Sequence, residues 1–384
     1  MFLFLRYTAL FASLLACGTV FAQTTLVKTM MYGGLSREYR IYVPASYSAA
    51  HAAPLVLNLH GYTSNDWQQE LYGDFRPLAD TAGFIIVHPN GTPDANNNLY
   101  WNAGFSATGV DDAGFLTTLI DTLEAHYNIN PRRVYSTGMS NGAIMSYYLA
   151  CHSNRFAAIA SVTGTLTLGG YQQCSPVRPT PIMEIHGTAD GTVPYNGSTL
   201  FEPIDSMVSY WVRFNHCNPT PTVTNVADIN TTDGATAVHY VYTGGLGGTT
   251  VEHFKVINGA HTWPGAAINI GVTCEDFSAS SEIWRFFNQY RLPTVGIPPV
   301  DTGVPLGGYV IAPNPAANYF SILKPTARLT YITVYDIRGS LLLTSSSDTD
   351  FQTLDISALS AGMYIIRISE DGGSVYTAKM VKQE

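Results

Sequence analysis

From about Leu26 to Tyr290 the chain alternates between two patterns of apolar and polar positions. Short apolar runs rich in Val, Ile and Leu recur along it, as in PLVLNLHG (54–61) and PIMEIHGTAD (181–190). Between these runs lie longer segments with apolar residues three or four apart, such as DDAGFLTTLIDTLEAHY (111–127) and DFSASSEIWRFFNQY (276–290). The short runs are typical of strands covered on both faces, and the longer segments predict helices. Their alternation predicts an α/β fold with a mostly parallel sheet.

The pattern changes after Tyr290. RLPTVGIPPVDTGVPLGG (291–308) is rich in Pro and Gly and has no period, which is typical of a linker. Beyond it, short alternating strands separated by Gly, Asn, Asp and Ser predict a small all-β sandwich. We therefore predict an α/β domain over residues 23–292, a linker over 293–307 and a β-sandwich domain over 308–384.

Residues 1–22 have the features of a signal peptide. Arg6 precedes an apolar stretch, and Val20 and Ala22 are small residues at the positions that signal peptidase requires for a cut after Ala22. A membrane anchor and a lipoprotein signal ending at Cys17 are the alternatives, but the apolar run is short for a bilayer span. No later segment is apolar for long enough to span a membrane, so we predict an exported chain.

Composition excludes some partners. The 384 residues are 46% hydrophobic and 12% charged, with a net charge of −9 and no basic cluster, which argues against nucleic acid as a partner.

After signal removal the cysteines are Cys151, Cys174, Cys217 and Cys274. An even number in an exported chain indicates disulfides, and we expect Cys151–Cys174 and Cys217–Cys274 among the three pairings that four cysteines allow. Their spacing fits no zinc pattern, so we predict no metal site.

Ser140 lies in a G-x-S-x-G motif, Gly138-Met139-Ser140-Asn141-Gly142. The motif follows a strand-like segment, RRVYSTGM (132–139), and opens a helix-like one, NGAIMSYYLACH (141–152). A sharp strand-to-helix turn of this kind exposes a nucleophile, and the glycines let strand and helix approach closely. The alternative is a small polar residue in a tight turn. We predict that Ser140 is the nucleophile.

A serine nucleophile needs a base, and the base needs an acid that orients it. In this arrangement the chain order is Ser, then Asp or Glu, then His. Asp190 follows a strand directly, whereas Glu202 and Asp205 lie at or inside the next helix. His261 lies in a loop just after a strand. Asp190 and His261 are therefore the predicted partners of Ser140.

The other histidines have ordinary structural explanations. Among them are His60, His186, His216, His239 and His253, which lie too early in the chain or within strands and helix ends. Acyl transfer also needs N–H donors for the oxyanion, and we predict the backbone N–H of Asn141 and that of Tyr62, after the His60-Gly61 turn.

These motifs resemble a known group of enzymes. LHGYTSN, VDDAGF, GMSNGAIMSYYLAC, HGTADGTVPYNG, GAHTWPG and SASSEIWRFF are similar, in order and spacing, to exported esterases. That group includes polyhydroxybutyrate (PHB) depolymerases and the feruloyl and acetylxylan esterases of carbohydrate esterase family one. The resemblance spans residues 37–290 and implies an α/β-hydrolase fold without metal or organic cofactor. It also implies that Trp101 and Trp263 line the acyl pocket, with core packing as the alternative.

The C-terminal segment resembles the sorting domain of the Bacteroidota type IX secretion system. VIAPNPAANYFSI, VYDIRGSLL, LSAGMYIIRI and the ending AKMVKQE carry this resemblance over residues 308–384. It implies passage through the outer membrane by the type IX machinery, followed by release or surface anchoring. A carbohydrate- or polymer-binding module is the alternative.

Together these features predict a secreted serine esterase that works through an acyl-enzyme. We rank feruloyl or acetyl esters of plant cell-wall polysaccharide first. A PHB-type polyester is second, because depolymerases often carry cysteine where this chain has Tyr62. The alternative of another class is a non-catalytic, hydrolase-like surface binding module, but such proteins usually lose a triad member and this chain keeps all three.

Overall fold

The computed structural model describes residues 24–105, 109–176, 178–292, 309–323, 330–349, 351–370 and 375–383. The predicted signal peptide and the predicted linker lie outside the described residues. The chain divides into two compact units, residues 1–292 and residues 293–384.

Strands and helices alternate along the first unit. Its strands are β1 Thr24–Tyr32, β2 Leu35–Val43, β3 Ala53–Leu59, β4 Ile85–Pro89, β5 Thr92–Pro93, β6 Leu99–Tyr100, β7 Ile129–Met139, β8 Ala158–Val162, β9 Ile182–Gly187, β10 Thr222–Asn225, β11 Thr236–Tyr242 and β12 Val251–Ile257. Its helices are α1 Asp66–Tyr72, α2 Arg76–Ala82, α3 Asp112–His126, α4 Asn141–His152, α5 Leu168–Gln173, α6 Ile204–Phe214 and α7 Ala279–Phe287. A 3₁₀ turn covers Leu246–Gly248.

A mixed sheet runs through this unit in the order β1-β2-β4-β3-β7-β8-β9-β12-β11-β10. Strands β4, β3, β7, β8, β9 and β12 are parallel to their neighbours within this central part. The outer strands at both ends pair antiparallel. This is the topology of an α/β-hydrolase, and the predicted fold class is confirmed.

The central strands are largely apolar because helices cover both faces of the sheet. Leu55 and Leu57 of β3 lie in one apolar cluster with side chains of α3, α4 and α6. Val56, which points to the opposite face, lies in a second cluster with side chains of α2 and α7. The whole of β3, β4, β8 and β9 is buried, as the continuous apolar runs indicated.

The carboxyl ends of the parallel strands share one edge of the sheet. Strand β3 runs into Gly61 and Tyr62, β7 into Ser140, β9 into Asp190 and β12 into His261. Parallel strands place these ends side by side, so residues distant in sequence meet along that edge.

The cysteines follow the prediction in one pair and depart from it in the other. Cys151, in the last turn of α4, forms a disulfide with Cys174, directly after α5. The predicted Cys217–Cys274 bridge is wrong, since both cysteines are free and buried. Cys217 lies in the apolar cluster on one face of the sheet and Cys274 in the cluster on the other, so the sheet separates them.

Loss of the Cys151–Cys174 bridge should lower the free energy of unfolding. The two cysteines are 23 residues apart, and closing a loop of that size constrains the unfolded chain by about 3 kcal/mol. We expect the Cys151→Ser/Cys174→Ser double variant to lose about 2–4 kcal/mol in urea unfolding. Wild type in reductant should match this variant, and the variant itself should not respond to reductant. A wild type that does not respond either would contradict the prediction.

The second unit consists of short antiparallel strands. They are β13 Val310–Ala312, β14 Tyr319–Leu323, β15 Thr330–Asp336, β16 Leu341–Ser347, β17 Phe351–Asp355, β18 Gly362–Glu370 and β19 Val375–Lys382. One sheet has the order β13-β14-β17 and the other β16-β15-β18-β19. Inward-facing residues of both sheets, such as Phe320, Ile322, Ile332 and Ile366, form one apolar core. The unit is therefore all-β, with two sheets around a shared core.

Within the part of the chain that the structure describes, no helix combines the length and the apolar character needed to cross a membrane.

Candidate active site

Ser140 occupies a strained turn between β7 and α4. Its φ of 56° and ψ of −121° are rare for a residue with a side chain. The Ser140 N–H donates to the carbonyl of Val162 in β8 (2.9 Å), which fixes the turn against the sheet. A Cβ at Gly138 or at Gly142 would overlap the backbone of Leu59, so both flanking positions require glycine. This is the strand-to-helix geometry that the G-x-S-x-G motif predicted.

Asp190 and His261 meet in the loops after β9 and β12. His261 Nδ1 lies 2.7 Å from Asp190 Oδ2. The other carboxylate oxygen accepts the backbone N–H groups of Thr192 (2.8 Å) and Val193 (2.9 Å). Burial would raise the pKa of Asp190, but hydrogen bonds from His186 and His261 outweigh it and hold that pKa well below its usual range. Asp190 is therefore an ionised acceptor that fixes His261 Nδ1 as a donor and leaves Nε2 free for another partner.

The two predicted oxyanion donors lie next to Ser140. Asn141 is the first residue of α4, where a backbone N–H lacks an intrahelical acceptor. Tyr62 follows Gly61, where an added Cβ would lie 3.4 Å from the Ser140 Cβ. The Tyr62 hydroxyl donates to Asp94 (2.7 Å) at the surface. The oxyanion role of the two backbone N–H groups stays a prediction.

The buried His60 ring stabilises this turn through hydrogen bonds, in agreement with its interpretation as a structural residue. Its ring is buried and Nε2 accepts the N–H of Gly91 (2.9 Å), so Nδ1 carries the proton and donates to the Gly61 carbonyl (2.7 Å). Burial lowers the pKa of His60 to about 4, which keeps the ring neutral.

Trp101 is buried and links the His60-Gly61 turn to α4 by hydrogen bonds. Its indole N–H donates to the His60 carbonyl (3.0 Å). Its backbone N–H donates to the Asn141 side-chain oxygen (2.6 Å), and the Asn141 amide donates back to the Trp101 carbonyl (3.0 Å). Sequence reasoning missed this role of the Asn141 side chain. The burial of Trp101 favours core packing over the predicted lining of the acyl pocket.

Trp263 is also buried. Its indole N–H donates to Ser280 (3.1 Å), and its ring packs edge-on against Phe75. Its backbone N–H donates to the Tyr72 hydroxyl (3.1 Å), and Tyr72 in turn lines the cleft described below. The geometry again favours core packing, with Trp263 placed behind the cleft wall.

A buried ion pair anchors the Trp101 loop. Asp112 accepts from Arg37 Nη2 (2.6 Å), and its second oxygen accepts the N–H of Asn102 (2.8 Å). Both charged side chains are almost fully buried. Burial raises the pKa of Asp112 by more than Asn102 and Arg37 lower it, so the pair carries a high desolvation cost.

Replacing Asp112 should destabilise the first unit strongly, because Asp112→Asn leaves the Arg37 charge buried without a counter-ion. We expect a loss of about 3–5 kcal/mol in urea unfolding. Asp121→Asn is the matched control, since Asp121 lies on the same helix but is 66% exposed in its pair with Arg155. The control should change stability by less than about 1 kcal/mol. Equal losses in the two variants would contradict the prediction.

Ser140 and His261 open into one cleft of about 480 Å³. Its other lining residues are Gly61, Tyr62, Ser64, Trp67, Gln68, Gln69, Leu71, Tyr72, Met139, Ile268 and Ile270. The mouth is apolar, with Trp67 51%, Ile268 56% and Ile270 60% exposed. Sequence reasoning missed these residues. Trp67 belongs to α1, and the sequence feature that could have predicted this helix is its N-cap residue, Asn65. The Asn65 side chain accepts the backbone N–H of Gln68.

Two family models of known proteins match parts of this chain. Residues 37–177 match the family model described as esterase PHB depolymerase. The predicted resemblance to these esterases is confirmed. This match includes Tyr62, Ser140 and Asn141 and stops before Asp190 and His261. Residues 310–383 match the model of a secretion system C-terminal sorting domain.

Curated relatives of the esterase segment carry several names. A bifunctional acetylxylan esterase/xylanase from Neocallimastix patriciarum is 26% identical over 74% of this chain and 37% of its own length. Feruloyl esterase B from Piromyces equi is 28% identical over 48% of this chain and 37% of its own length. Poly(3-hydroxyalkanoate) depolymerase C from Paucimonas lemoignei is 27% identical over 58% of each chain. The chain thus spans between about a third and three fifths of the length of these relatives.

Proposed function

We propose that the first unit is a serine esterase that cleaves carboxylic esters through an acyl-enzyme, with Ser140, His261 and Asp190 as its triad. The observation that carries the proposal is the 2.7 Å contact between Asp190 and His261, because His261 lines the same cleft as the strained Ser140. The esterase family match over residues 37–177 supports the same reaction class.

In this mechanism, His261 Nε2 accepts the Ser140 proton while the serine oxygen attacks the ester carbonyl. Asp190 fixes the tautomer of His261 and stabilises its protonated form. The backbone N–H groups of Tyr62 and Asn141 donate to the oxyanion. His261 then protonates the leaving alcohol and activates water, which releases the acid from Ser140.

For the substrate, we propose an aryl acyl group such as feruloyl, attached to plant cell-wall polysaccharide. The apolar mouth formed by Trp67, Ile268 and Ile270 supports an acyl group with a large apolar face over acetyl. The same exposed apolar residues also suit a short-chain polyester surface, which is the second candidate. The relatives include esterases named for both kinds of substrate.

We further propose that the second unit directs export through the type IX machinery. Support comes from the sorting-domain match over residues 310–383 and from the disulfide in the first unit, which suits an oxidising compartment. The predicted domain boundaries and the signal peptide over residues 1–22 belong to this proposal.

A substrate panel tests the assignment. The chain from Gln23 to Glu384 is assayed on methyl ferulate, acetylated xylan and PHB film, and an active-site phosphonate is used to label the nucleophile. We expect ferulate release and a phosphonate adduct on Ser140. Product from the film alone would favour the polyester. Absence of both adduct and hydrolysis would favour a non-catalytic binding module.

A further inference from the structure

Two ionisable side chains are buried directly behind Asp190. Glu184 and His186 lie two residues apart on β9 and therefore share one face of the sheet. Both are fully buried, and His186 Nδ1 lies 2.9 Å from Glu184 Oε1. On its other side, His186 Nε2 lies 2.8 Å from the Val193 carbonyl and 3.3 Å from Asp190 Oδ2. A continuous row thus runs from Glu184 through His186 and Asp190 to His261.

The partners of the His186 ring indicate its charge. A neutral imidazole has one N–H donor and one acceptor nitrogen. Both nitrogens of His186 face acceptors, namely a carboxylate on one side and a carbonyl with a second carboxylate on the other. With both carboxylates ionised, both ring nitrogens therefore carry protons. Burial by itself would lower the pKa of His186, but its bonds to Asp190 and Glu184 outweigh burial and raise that pKa to about 9.

We propose that His186 is a positioning residue of the triad, a buried imidazolium that holds the Asp190 carboxylate ionised and oriented toward His261. This inference rests on the proposed function. His186 touches neither the cleft nor Ser140, so it acts on the reaction only through Asp190.

The arrangement places His186 between two buried carboxylates. Burial raises the pKa of Glu184, and its hydrogen bond to His186 opposes that rise. Glu184 is held by the Tyr147 hydroxyl from α4 (2.7 Å), and Asp190 by two backbone N–H groups. His186 supplies the positive charge between them. Without it, Glu184 and Asp190 would repel each other, and the added negative potential would favour the protonated form of His261. The titratable and charged groups packed around His186 are Glu184, Asp190, Tyr147, Tyr195, Asp205, His253 and Lys255.

The test removes the positive charge of His186 and keeps a side chain that can form hydrogen bonds. We expect His186→Gln to lower kcat roughly 10–100-fold with little change in KM. Loss of the hydrogen-bond partner behind a metal-binding residue has an effect of this size at metal sites. Because the variant has one positive charge fewer behind Asp190, we expect the acid limb of kcat/KM to move up by about one pH unit. A general packing defect would not move this limb.

His253→Gln is the matched control. His253 is equally buried on the neighbouring strand β12 and contacts the Tyr195 hydroxyl (2.9 Å) and the Glu184 carbonyl (3.1 Å). Burial lowers its pKa to about 4, so it contributes no charge. We expect His253→Gln to leave the acid limb in place. An unchanged pH profile in His186→Gln, or an equal shift in both variants, would overturn the proposal.

A measurement on wild type remains decisive if His186→Gln does not fold. Nitrogen NMR of ¹⁵N-histidine-labelled protein at pH 7 should show His186 with both ring nitrogens protonated, and a neutral ring would overturn the proposal. If wild type cleaves no ester at all, the proposed function fails, and the triad role of His186 fails with it. An active wild type beside a His186→Gln variant of normal kcat and pH profile would refute the role of His186 alone.

Discussion

Replacing Ser140 with alanine should reduce kcat on a small activated ester such as p-nitrophenyl acetate by about 10⁶-fold. The substitution removes only the hydroxyl oxygen. Alanine also has a Cβ, so it adds no strain to the φ of 56° that Ser140 already adopts. The backbone bond from Ser140 N–H to Val162 and the contacts of both flanking glycines are kept. We therefore expect an inactive enzyme with a wild-type unfolding curve.

Ser153→Ala is the control for this experiment. Ser153 follows the other end of the same helix, α4, and its hydroxyl only accepts the backbone N–H of Arg155. We expect this variant to keep wild-type kcat and to react with the phosphonate at Ser140, whereas Ser140→Ala should form no adduct. Hydrolysis by Ser140→Ala at more than about a thousandth of the wild-type rate would reject Ser140 as the nucleophile.

The sequence predicted the site best where chemistry depends on position at a strand end. Ser140, Asp190 and His261 each follow a strand in the parallel part of the sheet, and parallel strands bring their carboxyl ends to one edge whatever the loop lengths. The order of chemistry-bearing residues along the chain was therefore enough to predict the contact of Asp190 with His261 and the shared cleft of His261 and Ser140. His60 was interpreted as structural because it lies too early in the chain to be the base, and its buried ring is hydrogen-bonded to Gly61 and Gly91.

Features that depend on side-chain direction could not be predicted. Cys217 and Cys274 were expected to pair because an exported chain with an even number of cysteines usually forms disulfides. The face of the sheet on which each cysteine lies follows from packing, which the sequence does not show. Helix α1 was missed because it is seven residues long and buries Gln69 and Glu70, which breaks the apolar period. In the sequence, a tryptophan such as Trp101 fits a pocket wall and a buried core equally well. Only the hydrogen bonds of Trp101 to His60 and Asn141 distinguish these two positions.

Replacing Asp190 with asparagine should lower kcat by about 10⁴-fold, the loss known for the equivalent change in a serine protease triad. Asp190 Oδ2 accepts from His261 Nδ1, and Oδ1 accepts two backbone N–H groups. An asparagine keeps its carbonyl oxygen where those two N–H groups donate, so its NH₂ faces His261. That NH₂ can only donate, which places the His261 proton on Nε2, and this nitrogen then no longer accepts from Ser140.

Asp205→Asn separates this effect from a general loss of acid charge near the site. Asp205 is the competing acid in chain order, yet it lies exposed in the first turn of α6 and accepts from the Tyr195 hydroxyl (2.6 Å). We expect Asp205→Asn to keep kcat within about threefold of wild type, because its carboxylate contacts no member of the triad. If Asp190→Asn were the active variant and Asp205→Asn the inactive one, the acid of the triad would be Asp205, and the 2.7 Å contact at His261 would be structural only.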